Sequence, residues 1–316
     1  MNPTVKIALL LLLGSPAFSQ KIEKYYDYLW KETDIKYARF YSIIEKKDSG
    51  WHRRDYFMRG LSLQMEGWYE DSACKKASGR FIYAYPNKMI ELQGSYLAGK
   101  KQGLWLSWYP DGAMYDSVVY NNGKPTGTRM KWHHNGYIAD SSVYQPDGSG
   151  VEVSWFDNGN PSSAGMLAAG FKQHGRWKYF HKTGQVSAIE LYDNGKLMGK
   201  QYFGEDGSST SDTTNNDREA EFPGGLKAWG NYLGKHLFFP SQYQLVNSDK
   251  AAVVISAVID EDGKVQDAYV KTPFYPEFDK IALNAVRSSP KWRPARNHNR
   301  NVKYYINQPV VFSQPE

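Results

Sequence analysis

Aromatic and aliphatic positions recur along residues 79–207 at a fixed spacing. A column set on Gly79, Gly103, Gly127, Gly150, Gly175 and Gly199 advances in steps of 24, 24, 23, 25 and 24 residues. Five residues after the column glycine stand Trp108, Trp132, Trp155 and Phe180, with Ala84 the exception, and the next position holds Tyr85, Tyr109, His133, Phe156 or His181. Seventeen residues after it come Tyr96, Tyr120, Tyr144 and Tyr192, with Leu167 in the weakest copy. Between the two halves lie Pro110-Asp111-Gly112, His134-Asn135-Gly136, Asp157-Asn158-Gly159 and Lys182-Thr183-Gly184, and Asn121-Asn122-Gly123 and Asp193-Asn194-Gly195 close the other end. Such turns supply the positive φ that tight hairpins demand, so each repeat is expected to be one antiparallel β-hairpin. A lone hairpin is marginal in water. Neighbours must therefore pair and share an aromatic ladder as a continuous core.

Upstream, Asp55-Tyr56-Phe57, Gly60, Gly67 and Tyr69 read as an eroded earlier copy, which places the array at 51–207. Residues 20–50, with Tyr25, Tyr26, Tyr28, Leu29 and Trp30, show no clean period and are expected to cap it. After Gly204 the chain turns polar, and 208–218 reads as a linker with nothing to bury. Beyond it the period changes. Leu226, Trp229, Tyr232 and Leu233 follow helical spacing, Ala251 to Ile259 and Val265 to Val270 flank the turn Asp260-Glu261-Asp262-Gly263, a second helix is expected from Glu277 to Ser288, and a last strand from Val302 to Phe312. The fold class is thus mainly β: a tandem antiparallel β-hairpin repeat array followed by a small α+β domain at 219–316.

At the amino end, Lys6, the apolar run Ile7–Leu13 and the small residues Ala17 and Ser19 are expected to form a secretory signal peptide, 1–19, leaving Gln20 first. An uncleaved inner-membrane anchor is the alternative, for which the apolar run is short against the ~20 residues a span needs. An exported chain with Cys74 as its one cysteine has no internal disulfide and no cysteine-based metal site. The net charge of +6 is scattered, which argues against nucleic acid and leaves at most a weak attraction to anionic envelope surfaces.

Candidate chemistry thins out once the register is applied. His133 and His181 share one column two repeats apart, hence on the order of 19 Å, too far for one metal ion. Asp116-Ser117 and Asp140-Ser141 are the same repeat position seen twice, and Cys74 has no catalytic neighbours in sequence. No nucleophile, base and orienting group can be assembled, so a non-enzymatic protein without cofactor or metal is expected.

The order of aromatic pair, turn glycine, tyrosine and column glycine over roughly residues 51–207 resembles the bacterial MORN-type repeat family. Over about 219–313, Phe222-Pro223-Gly224-Gly225, Phe239-Pro240, Asp262-Gly263-Lys264-Val265, Pro290-Lys291-Trp292-Arg293-Pro294 and Pro309-Val310-Val311-Phe312 resemble the TonB C-terminal domain family. That resemblance implies a periplasmic domain that grips a short segment of an outer-membrane TonB-dependent receptor by strand addition. It places the contact at Phe239 and Pro240 and on an exposed edge strand at Tyr304, Tyr305, Ile306 and Asn307. Two loop glycines of the family are replaced by Ala295 and Asn299, and Asn accepts the left-handed conformation. The sequence carries neither the membrane helix nor the Pro-rich spacer of an energy transducer, so binding rather than force transmission is expected. The alternative is an envelope scaffold or adaptor whose repeats bind protein, glycan or lipid headgroups.

Overall fold

The computed structural model describes residues 20–246 and 248–315, and the expected signal peptide at 1–19 lies outside them. Sixteen strands, from Lys21–Tyr26 to Ser209–Thr210, form one antiparallel sheet in which each strand pairs with its neighbours in sequence. The two sequence columns are cross-strand partners. Gly79 faces Tyr96, Gly103 faces Tyr120, Gly127 faces Tyr144, Gly150 faces Leu167 and Gly175 faces Tyr192. The period is therefore the geometry of one hairpin, written twice across its own ladder.

The deepest rings stand two residues after the column glycine rather than five. Phe81, Trp105 and Trp177 are almost fully buried, whereas Trp108, Trp132, Trp155 and Phe180 are only half-buried. Each buried ring lies flat on a glycine of the adjacent strand: a Cβ on Gly67, Gly94 or Gly165 would stand 2.2, 2.2 and 2.1 Å from the ring of Phe81, Trp105 and Trp177. Where no second layer covers it, the sheet folds its own large rings over the gaps that glycine leaves. Edge-to-face contacts link Phe81, Tyr96, Trp105 and Tyr120 at 4.8, 4.9 and 6.4 Å. In the next two repeats the ring position holds Arg129 and Glu152. Arg129 grips Asp116 at 2.7 Å and Glu152 accepts from Tyr144 at 2.8 Å, which splits the ladder into two aromatic clusters.

The sheet runs past both expected boundaries. Lys21–Tyr26 and Phe40–Lys47 extend the same ladder, and Trp30 stacks on Phe40 at 3.9 Å over its end. At the other end Thr210 pairs with Tyr202, so the expected linker supplies half of a last hairpin. On the face opposite the buried rings, Leu104 stands across from Val119, Val143 from Val151, and Val151 from Met166, all exposed.

In the C-terminal unit, α1 (Gly225–His236) precedes a central strand Lys250–Ile259, its neighbour Val265–Thr272, α2 (Pro276–Arg287), a small hairpin Ala295–Asn297 and Arg300–Val302, and the last strand Tyr304–Ser313. The central strand lies between the other two long ones. Pro276 at the first turn, with Glu277 and Asp279 at the positive end and Arg287 at the negative end, sets α2. Phe278, Val286, Val253, Ile255, Ile259 and Val310 close the core beneath the helices. In α1 only Trp229 is buried, beside Phe222 and Trp292, and Leu226, which shares its helical spacing, is 89% exposed. The tight turn of the small hairpin holds His298 at φ +50° and Asn299 at φ +59°. Among the described residues no helix is long and apolar enough to cross a membrane.

Candidate functional site

Alternation decides which face of the C-terminal sheet is available. Ala251, Val253, Ile255, Ala257 and Ile259 turn toward the helices, so Ala252, Val254 and Val258 turn away from them, and yet they too are buried. The array covers them. Arg39 donates to Ala252 O at 3.0 Å and stacks on Phe274 at 4.0 Å, while Arg59 stacks on Tyr275 at 4.6 Å. Midway, His134 bridges Asp111 and Asp267, each at 2.7 Å, and the two carboxylates raise its pKa. Lys182 joins Asp157 at 2.8 Å to Glu261 at 3.0 Å, and Lys303 also reaches Asp157 at 3.0 Å. Burial works against the Asp157 carboxylate, but the two ammonium groups hold it down at about 2.

The far end of this seam is the small hairpin. His298 stacks on Tyr179 at 3.7 Å and meets Glu190 at 2.9 Å; Asn299 donates to Ser187 O at 3.1 Å and Phe203 O at 3.0 Å. Arg300 donates to Ser162 Oγ at 2.7 Å and Phe180 O at 3.2 Å, and burial lowers its pKa to about 10. The array is thereby clasped against this sheet face at both ends of the seam, and the sheet's last strand presents an edge.

That edge is the outer side of Tyr304–Ser313, which has no backbone partner among the described residues. Its parity follows from one bond. Gln314 N donates to Asp249 O at 2.8 Å in an unbroken antiparallel register, so even-numbered residues aim N–H and C=O at the central strand and odd-numbered residues aim them outward. Pro309 falls in an outward slot, where its missing N–H costs the ladder nothing. Outward donors remain at Tyr305, Asn307, Val311 and Ser313.

Beside this edge runs an apolar groove of about 450 Å³ between the strand and α1, lined by Leu233, Leu237, Phe238, Phe239, Pro309 and Val311. Its floor on α1 is Gly230 and Gly234, around which a Cβ would meet nothing within 4 Å. Two interior glycines cost a helix ~1 kcal/mol each relative to alanine. Here they keep the groove open. We expect Gly234→Leu to stabilise or leave unchanged the urea midpoint while filling the groove, and so to separate folding from binding.

The residues expected at the contact divide by parity and packing. Tyr305 and Asn307 present their backbone outward, whereas Tyr304 and Ile306 pair inward and pack on the core. Phe239 stands edge-to-face on Phe278 at 5.2 Å and is half-buried in the groove lining, Pro240 is buried, and Phe238 beside them is 66% exposed. Phe238, the residue before Phe239, is the more exposed of the two rings that line the groove. His133 and His181 bond Trp155 O and Phe203 O at 2.9 Å, as Tyr85 and Tyr109 bond Trp108 O and Trp132 O at 2.8 and 3.0 Å. A carbonyl only accepts, so each Nε2 carries its proton and ties one repeat to the next. Among the described residues no cluster of His, Cys, Asp and Glu could hold a metal ion.

One carboxylate near the seam gives a pH signature. Asp279 accepts from Phe274 N at 2.7 Å, and burial pushes its pKa from 3.8 up to about 6. The folded state thus holds this proton where the unfolded chain releases it, so the group's contribution falls as pH rises from about 4 through about 6. Asp279→Asn is expected to flatten that part of the urea stability profile and to add on the order of 1 kcal/mol at neutral pH, allowing for partial solvent exposure. A parallel profile in wild type and variant would refute the assignment.

Residues 241–313 match the family model described as Gram-negative bacterial TonB protein C-terminal. The match takes in the three-stranded sheet, α2 and the small hairpin, and begins after α1, with the array outside it. It ties the C-terminal unit to TonB-like proteins of the Gram-negative envelope. No curated protein matches the chain.

Proposed function

We propose that this chain is a periplasmic, non-enzymatic TonB-like binding protein that takes an extended segment of an outer-membrane receptor as an added strand on Tyr304–Ser313. The observation carrying this reading is the unpartnered edge: outward donors at alternate residues, lying beside an apolar groove that can receive every second side chain of an incoming strand. The family match supports the partner class. The hairpin array, with its MORN-type resemblance, serves as the platform that covers the sheet face; of the two edges of the three-stranded sheet, Tyr304–Ser313 is the one beside the groove lined by Pro309 and Val311.

The test is a titration of the full chain with peptides from the N-terminal segments of outer-membrane receptors, read by amide hydrogen exchange. Protection should rise at Tyr305, Asn307 and Val311 and stay unchanged at Tyr304, Ile306 and Val310, whose amides are already paired. Gly234→Leu should weaken binding at least tenfold. Protection that ignores this alternation would sink strand addition. The isolated C-terminal unit is a poor substitute, since it exposes Ala252, Val254 and Val258, which the array buries. A second reading, an envelope adaptor, draws on the exposed stripe Leu104, Val119, Val143, Val151 and Met166; it gains if a protein partner is lost on Val151→Glu but kept on Gly234→Leu.

A further inference from the structure

The seam is not closed along its whole length. Between Arg59 and His134 it opens into a cleft of about 780 Å³ whose walls come from both units. The array contributes Tyr85, Trp108, Tyr109 and Tyr115, and the C-terminal sheet contributes Tyr269 and Tyr305. The phenol hydroxyls are already spent inside the protein. Tyr85 and Tyr109 donate to Trp108 O and Trp132 O, Tyr305 bonds Tyr115, and Tyr269 bonds Ser256. What the cleft offers a ligand is ring surface, which attracts cations.

Its charge is uneven in the same sense. Asp111 and Asp267 share His134, and Arg287 donates to Ala268 O at 2.6 Å. Glu91 stands apart from these: half-buried on the cleft wall, it has no hydrogen bond or ion pair among the described residues. The nearest cation, Lys271, is engaged with Asn307 Oδ1 at 3.1 Å. Burial pushes the Glu91 pKa up, with Lys271 opposing. The cleft lining carries three carboxylates, Glu91, Asp111 and Asp267, against Arg287 and the shared His134, with Lys271 outside the lining and turned to Asn307, so an anion is disfavoured there. A neutral ligand would leave Glu91 unpaired at the cost such a group carries.

We propose that this cleft binds an organic cation, an amine or guanidinium on an apolar or aromatic body, with its charge at Glu91 and its body among the tyrosine rings. Such a group can arrive as a free molecule or as the Lys or Arg side chain of a bound polypeptide. The reading is independent of strand addition, because it requires no receptor segment.

The experiment is calorimetric titration of the full chain with 2-phenylethylamine, 2-phenylethanol and 3-phenylpropionate, three probes of like shape and different charge. The amine should bind saturably and at least tenfold more tightly than the alcohol, with no saturable binding of the acid. Glu91→Gln should remove at least tenfold of the amine affinity, and Tyr269→Leu, checked for an unchanged unfolding midpoint, should weaken it again. A blocked Lys-centred tripeptide binding more tightly than the amine assigns the cation to a polypeptide; weaker binding assigns it to a free molecule. Equal binding of amine and alcohol, or full amine affinity in Glu91→Gln, overturns the proposal.

Discussion

Tyr305→Pro is expected to abolish binding of an added strand while leaving the C-terminal unit folded. The N–H of Tyr305 points away from the central strand, so the substitution removes no ladder bond, and proline is tolerated at such a slot, as Pro309 already shows. An incoming strand would lose a donor and meet the ring, and we expect at least a tenfold loss of affinity by calorimetry. One residue on, the same change acts on the fold. Ile306 faces Ala257 and aims its N–H inward, so Ile306→Pro deletes a ladder bond, leaves a buried carbonyl unpaired at about 1–3 kcal/mol, and displaces a side chain packed on the core. Urea unfolding should show this loss for Ile306→Pro, and for Tyr305→Pro only the loss of the ring's contact with Tyr115, which Tyr305→Ala shares. Tyr305→Ala, which keeps the N–H, separates the ring from the backbone. If Tyr305→Pro binds as wild type does, the partner is not held on this edge.

Gly94→Ala and Gly165→Ala are expected to be strongly damaging single methyl additions in the array. The new carbon would stand 2.2 and 2.1 Å from the rings of Trp105 and Trp177, which are 1% and 3% exposed and have no other seat on a one-layer sheet. Moving either ring breaks its aromatic cluster and its indole bond, Trp105 to Ser95 O at 3.1 Å or Trp177 to Met166 O at 2.9 Å. A loss of about 2–4 kcal/mol is expected, from overpacking together with exposure of the ring. Gly199 is the internal control. It belongs to the column that defines the period, yet a Cβ there would meet nothing within 4 Å, and its φ is not positive. Gly199→Ala should stay within about 0.5 kcal/mol of wild type. Tryptophan fluorescence during urea unfolding reads all three, and a harmless Gly94→Ala would mean the Trp105 ring is not held as described.

These two cases also mark what the sequence could reveal. The hairpins were legible because the column glycine and the tyrosine seventeen residues later face each other across one ladder, so a repeating contact became a repeating letter. The buried ring position was not, since Arg129 and Glu152 occupy it in two consecutive repeats and erase the column. The half-hairpin at Ser209–Thr210 was hidden because two polar residues suffice to extend a ladder through backbone bonds alone. In the C-terminal unit the helices and strands followed their apolar spacing. Parity along Tyr304–Ser313 needed the ladder itself, and the exposure of Phe238 turned on one residue of direction after α1. The seam lay beyond reach for another reason: Arg39, His134, Lys182 and Arg300 find partners far along the chain and share no local pattern.

The order of the sheet carries a last consequence, for how such a chain assembles. Every array strand waits only for the strand before it, so in a polypeptide delivered amino end first each hairpin can zip onto its predecessor as it arrives. The clasp obeys a different clock. Arg39 meets Ala252 across 213 residues and Arg300 meets Ser162 across 138, so the C-terminal unit closes only over an array that already exists. The edge along Tyr304–Ser313 is consequently the last feature to be finished, and a half-delivered chain has no orderly strand there.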